Sequence, residues 1–321
     1  MARSYRFRKI ERFFTRIASL PARPLFLLVM NLPEPVAHGC AEVMGRLFWL
    51  FGVPWRRMSM KNLRLVYKDS LPARELRRIA KGSMINVIRM MIEGTVIFRP
   101  PYTVVKNTPI EGEEYLREAV ASGRGILMLG SHVGNFLLLI CALSFKGYPV
   151  HYVFKQPESG EFKEFIFELN RDLKLNPIPL KPRSEATKRS LKTLREKEIL
   201  WIALDQNTRE GDVGVEFFGV KAATARGPAI LAQRTGAVVV PAYIRRHGWM
   251  KHTIVIKEPI EIVQTGDKEQ DVYQNLRRFS TAIERAVLEN PTEWWWLHDR
   301  WKRAHRYAEA PNDHAPDADE P

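Results

Sequence analysis

Residues 125–145, GILMLGSHVGNFLLLICALSF, contain no Asp, Glu, Lys or Arg, and an uncharged run of about 20 residues is long enough to cross a bilayer. Its middle argues otherwise. The glycine-bounded polar segment Gly130-Ser131-His132-Val133-Gly134-Asn135 interrupts the run, which therefore reads as a strand, a turn and a helix. A second apolar stretch, Pro24 to Trp55, is broken by Glu34, His38, Glu42 and Arg46 and is too interrupted to cross unaided. The Arg-rich N-terminus lacks a following apolar core with a small-residue cleavage site, so no signal peptide is expected. The expected location is the cytoplasm or its membrane face.

The pattern at 125–130 recurs. Apolar runs GILMLG at 125–130, PVHYVF at 149–154, EILWIAL at 198–204, AVVVPAYI at 237–244 and HTIVIK at 252–257 alternate with helical segments. That alternation predicts an α/β fold, a largely parallel sheet flanked by helices. Helical patterns fill the preceding region to about residue 98, including Pro72 to Met91, and the chain turns extended at Arg99-Pro100-Pro101. At the start, Phe7, Ile10, Phe14 and Ile17 share a helical face among Arg3, Arg6, Arg8, Lys9, Arg12 and Arg16, the pattern of a basic amphipathic helix in a membrane interface. The expected organisation is an interface helix at 1–20, a helical region at 21–100, an α/β domain at 101–307 and a disordered acidic tail at 308–321.

Charge narrows the partners. The 321 residues carry a net +14, and the last fourteen hold five acids and no Lys or Arg, leaving +19 on the rest. Such an excess suits a negative partner: nucleic acid, an anionic membrane, or an acidic carrier protein or substrate. Cys40 and Cys141 stand far apart without Cys-x-x-Cys spacing, which disfavours structural zinc and a redox pair. The basic residues form no recognisable nucleic-acid motif, so no nucleic-acid partner is expected.

In open α/β sheets ligands bind beyond the carboxyl ends of the strands. Those positions hold Ser131 and His132, Lys155 and Gln156, Asp205 and Gln206, and Arg245 and Arg246. His132, in a turn between two glycines, has room to act as a general base, although a histidine can equally serve only to bond within its turn. The serine here is not in the Gly-x-Ser-x-Gly arrangement of a nucleophile elbow. Asp205 is either a catalytic carboxylate or a cap on its own loop. The loop DQNTREGD at 205–212 resembles a calcium loop only superficially, because Arg209 replaces a ligand and Glu210 the turn glycine. Thr224, Arg226 and Gly227-Pro228 precede a helix whose N-terminus, with Lys221, can receive an anion such as phosphate, though an ordinary capped helix is the commoner case. Trp294, Trp295, Trp296 and Trp301 lie among His298, Arg300, Lys302 and Arg303, a cluster suited to stacking bases, lining an acyl groove, meeting a lipid interface or simply packing a core.

Taken in order from about Arg56 to Arg306, several motifs resemble the late acyltransferases of lipid A biosynthesis, within the lysophospholipid-acyltransferase-like group. They are Lys61-Asn62-Leu63, Gly123-Arg124-Gly125, Ser131-His132-Val133-Gly134-Asn135-Phe136, Asp205-Gln206, Gly214-Val215 with Phe217-Phe218-Gly219, Thr224 with Gly227-Pro228, and Pro291 with Trp294, Trp296, His298 and Trp301. The resemblance implies transfer of a fatty acyl chain from acyl carrier protein, or coenzyme A, to a hydroxyl of a membrane glycolipid at the cytoplasmic face of the inner membrane. It implies His132 as general base, no metal and no cofactor beyond the acyl donor, with acyl carrier protein, an anionic lipid acceptor and the membrane surface as partners. Ser131, Asn135, Lys155, Gln206, Thr224, Arg226 and Arg245 are the expected substrate-binding residues.

One departure bears on activity. The family pattern is His, four residues, then Asp or Glu, with the acid orienting the imidazole; position 137 here is Leu. Another carboxylate can substitute, the enzyme can be slow, or the chain can be a non-catalytic lipid- or carrier-binding relative. Asp205 is the preferred substitute, on the same sheet edge as His132, and Glu93 the weaker one. Lys155 stands where the family often has Arg, and offers a point charge in place of a two-pronged grip.

Overall fold

The computed structural model describes residues 22–97, 99–100, 102–156, 161–208 and 212–307. The expected interface helix at 1–20 and acidic tail at 308–321 lie outside the described residues. Among the described residues four helices come first: α1 (Ala22–Asn31), α2 (Glu34–Phe51), α3 (Val53–Tyr67) and α4 (Ala73–Val96). Gly45 of α2 lets that helix run close against α4, since a Cβ there would sit 3.1 Å from Ile85.

After α5 (Thr103–Asn107), the chain alternates as the apolar runs require: β1 (Ile110–Glu111), α6 (Glu113–Ala121), β2 (Ile126–Gly130), α7 (Phe136–Phe145), β3 (Val150–Phe154), α8 (Glu161–Asp172), β4 (Asn176–Pro179), α9 (Arg183–Arg195) and β5 (Ile199–Ala203). A hairpin follows, β6 (Asp212–Phe217) and β7 (Val220–Ala225), then α10 (Gly227–Thr235), β8 (Val238–Gly248), β9 (Lys251–Ile256) and α11 (Lys268–Glu289). Seven strands form one sheet in the order β1-β9-β8-β2-β5-β3-β4, and β6 and β7 form a separate ribbon. Within the large sheet only the β8–β9 pair is antiparallel. The expected α/β class with a largely parallel sheet is observed.

Alternation within each strand divides the core. Ile126, Met128, Ile199, Val238 and Val240 pack on one face with Leu138 to Leu143 of α7. Leu127, Leu129, Leu200 and Val239 face the other way, against Leu231 of α10 and Leu276, Phe279 and Ile283 of α11. Burial on both faces explains why these strands read as continuous apolar runs. Helix α7 is apolar all round because it too is enclosed. The second half of the uncharged 125–145 run is thus a core helix, and no described helix is long and apolar enough to cross a membrane.

Two features depart from the sequence expectation. Strand β8 continues through Gly248, so Arg245 and Arg246 lie within it and not beyond its end. The segment leading to α10 is not a simple capped approach but the β6–β7 hairpin, turned at Phe218 and Gly219, both at positive φ.

Candidate active site

Strand β2 ends at Gly130, and the next five residues swing His132 onto the sheet edge. Gly134 permits the turn: its φ is +65°, and a Cβ there would lie 2.3 Å from the backbone oxygen of Ile244. The turn is fastened to the tryptophan-rich segment by a β-bridge between Val133 and Trp294 and by the Gly134 N–H donating to the Glu293 carbonyl at 3.1 Å. Asn135 then caps α7, accepting from the Leu138 N–H at 3.2 Å.

Because β5 is the parallel neighbour of β2, Asp205, two residues past its end, arrives beside His132. Asp205 Oδ1 lies 2.8 Å from His132 Nδ1, and Oδ2 accepts the backbone N–H of the same histidine at 2.7 Å. Trp294 donates its indole N–H to that Oδ2 at 2.8 Å. Burial alone would raise the Asp205 pKa, but the His132 charge and the hydrogen bonds from His132 and Trp294 outweigh it and hold the carboxyl at about 2. When the ring is neutral, an ionised Asp205 accepts its proton on Nδ1 and leaves a lone pair on Nε2. Phe136 and Trp295 wall the ring, with centroids 4.9 and 5.0 Å from it. Gln206 places its Nε2 3.1 Å from His132 Nε2.

Beneath the pair lies Arg300, fully buried. It donates to the carbonyls of Gln206 and Ala223 and to Thr224 Oγ1, and its guanidinium stands 5.1 Å over the Phe217 ring. Burial lowers its pKa to about 10. His298, its own pKa lowered chiefly by burial, accepts the Asn207 N–H at 3.0 Å. Asn62 of α3 donates to the carbonyls of Trp296 and His298, both at 2.8 Å, and Ser83 of α4 to that of Trp294. The N-terminal helices thereby hold the tryptophan segment against the site.

A second polar cluster sits behind the histidine turn. Buried Glu93 of α4 pairs with Arg246, lies 3.2 Å from His252 Nε2, and accepts from Asn135 at 3.3 Å. Burial raises the Glu93 pKa, but His252 and Arg246 together bring it to about 2. Glu93 is thus committed to this cluster, and Asp205 is the carboxylate at His132.

The other expected site residues are distributed as follows. Ser131 is buried within the turn, and Asn135 and Thr224 are buried and hydrogen-bonded within the protein. Arg226 pairs with Glu269 and Arg245 with Glu111, while Lys155 is exposed just after β3, one strand beyond β5. Of the tryptophans, Trp294, Trp296 and Trp301 are core residues, and Trp295 meets the imidazole. Trp294 and Arg300 stand far from the Asp205 loop in sequence, so their hydrogen bonds to it arise only in three dimensions. Among the described residues no cluster of His, Cys, Asp or Glu is suited to a metal ion.

A parallel α/β sheet whose edge carries a histidine backed by a buried carboxylate is equipped to take a proton from a nucleophile. The model for bacterial lipid A biosynthesis acyltransferases matches residues 8–303. The lipid A biosynthesis lauroyltransferase of Escherichia coli (strain K12) is 27% identical over 278 residues, covering 86% of this chain and 88% of that protein. The lipid A biosynthesis palmitoleoyltransferase of the same strain is 22% identical over 283 residues, with the same coverage. The crystal structure of a 1-acyl-sn-glycerophosphate acyltransferase from Thermotoga maritima is 15% identical, covers 79% of this chain and 97% of its own, and has a TM-score of 0.37, too low to bear on the site. The chain belongs to the bacterial lipid A biosynthesis acyltransferase family, and it is an acyltransferase.

Proposed function

We propose that this protein transfers a fatty acyl chain from an acyl carrier protein thioester, or coenzyme A, to a hydroxyl of a lipid A precursor or similar membrane glycolipid. The observation that carries the reading is the His132 and Asp205 pair, 2.8 Å apart. In the proposed reaction the acceptor oxygen attacks the thioester carbonyl carbon as His132 Nε2 takes its proton. The tetrahedral intermediate collapses with loss of the thiolate, which receives that proton from the imidazolium. Asp205 orients the ring and stabilises its charged form. The absence of an acid at position 137 is the argument for a non-catalytic relative, and a carboxylate already at the imidazole weighs against it. No cofactor besides the acyl donor enters these steps.

Work at the cytoplasmic face of the inner membrane fits the exposed surface of α2. Val36, Val43, Leu47, Leu50 and Phe51 are exposed at helical spacing along it, and Arg46, Arg57 and Lys61 nearby in sequence are exposed cations. An apolar stripe with basic neighbours suits an anionic bilayer surface, and the net positive charge suits an acidic carrier protein. Mass spectrometry of membrane lipids from a deletion strain tests the acceptor. The expected result is a glycolipid lacking one acyl chain; a lipid profile identical to wild type would overturn the reading.

A further inference from the structure

The nitrogen that must receive the acceptor's proton already has a partner. With Nδ1–H directed at Asp205, Nε2 of the neutral ring carries a lone pair, so the Gln206 carboxamide at 3.1 Å donates to it. An acceptor hydroxyl must present its own O–H to that same lone pair. Phe136 and Trp295 wall the ring, and the histidine side chain is 16% exposed. Amide and hydroxyl therefore compete for one position.

The local construction allows the amide to leave without moving the loop. The Gln206 carbonyl is held by Arg300 at 3.2 Å, and the next N–H, of Asn207, is held by His298 at 3.0 Å. The peptide is pinned on both sides, whereas the Gln206 side chain is exposed. Its rotation costs about one ordinary hydrogen bond; a water must meet that cost unaided, whereas an acceptor hydroxyl is carried to Nε2 by the binding of the rest of its lipid.

We infer that Gln206 guards the base, covering His132 Nε2 so that water does not take the acceptor's place while an acyl thioester is bound. The inference rests on the reading of His132 as general base. The suppressed reaction is hydrolysis: a water oxygen bonds to the thioester carbon, Nε2 takes the water proton, the C–S bond breaks, and the sulfur leaves as a thiol carrying that proton. Fatty acid and free thiol are the products. Gln206 is thus a residue that sets specificity for a hydroxyl over water.

The test compares full-length wild type with Gln206→Ala in two measurements. Diethyl pyrocarbonate modifies neutral imidazole nitrogen, and mass spectrometry of the His132 peptide, normalised to the exposed His305, reads access to the ring. Thiol release from lauroyl-coenzyme A without acceptor reads hydrolysis, and transfer to a lipid A precursor in mixed micelles reads the normal reaction. Expected for Gln206→Ala are about fivefold faster His132 labelling, the factor set by one ordinary hydrogen bond, and a similar rise in thiol release. Unchanged labelling would overturn the inference, as would faster labelling with unchanged or reduced thiol release, which is the result if the amide instead steadies the oxyanion. A failure of both proteins to acylate the precursor, with labelling and hydrolysis both raised in the variant, would overturn the proposed acceptor and leave the guard intact.

Discussion

Trp294 and His132 meet on one oxygen: the indole N–H and the histidine backbone N–H both donate to Asp205 Oδ2, at 2.8 and 2.7 Å. The other oxygen, Oδ1, is thereby aimed at Nδ1 of the ring. Trp294→Phe keeps most of the core packing and removes one donor to a buried charge, which costs about 1–3 kcal/mol. The expected outcome is a lower melting temperature and reduced turnover with acceptor KM little changed. An unaltered melting temperature and turnover would show that the indole N–H does not hold the carboxylate.

Leu137 stands where the family places its acid, yet both ring nitrogens of His132 are already engaged, one by Asp205 and the other by Gln206. Leu137 instead lies beside α4, its Cδ1 3.9 Å from where a Cβ on Gly94 would sit. Leu137→Glu is therefore expected to leave turnover no higher than wild type. It should also destabilise the protein, by about 1 kcal/mol or more, by placing a carboxylate on a half-buried apolar contact. Turnover rising on this substitution, in the same transfer assay, would contradict the assignment of Asp205 as the orienting acid.

Glu93 and Asp205 each have a folded-state pKa of about 2, below the roughly 4 of unfolded carboxylates. The unfolded chain binds more protons between those values, so the stability these groups contribute is present above about pH 5 and is lost as pH falls through about 4 toward 2. Each contributes on the order of 2 kcal/mol. Urea unfolding followed from pH 6 to pH 2 should show midpoints flat at first and then falling. Glu93→Gln should flatten part of that fall while lowering stability at neutral pH, because it leaves Arg246 buried with weakened compensation. A wild-type midpoint independent of pH down to 2 would contradict this.

The strands that place the site were legible because both faces of the sheet are covered, which leaves runs such as ILMLG and ILWIA continuously apolar. Strand β4, NPIP, carries two prolines at the sheet edge, and β6, DVGVEF, mixes polar and apolar residues in a two-stranded ribbon; neither presents that signal. The rule that ligands meet strand ends located His132, Asp205 and Gln206 together, since β2 and β5 are neighbours. It also pointed to Arg245, and helix-start reasoning pointed to Arg226, but their pairing with Glu111 and Glu269 depends on elements far away in sequence. The same distance hid Trp294 and Arg300, which reach the Asp205 loop from about ninety residues downstream.

The central claim is that His132 acts as base with Asp205 behind it. The most direct measurement is acyl transfer to a lipid A precursor by purified wild type, His132→Ala and Asp205→Asn, with circular dichroism checking the fold. The account predicts no transfer by His132→Ala and, for Asp205→Asn, kcat lower by on the order of 10⁴, as in the serine-protease case, with acceptor KM little changed. Near-normal transfer by a folded His132→Ala protein would contradict it.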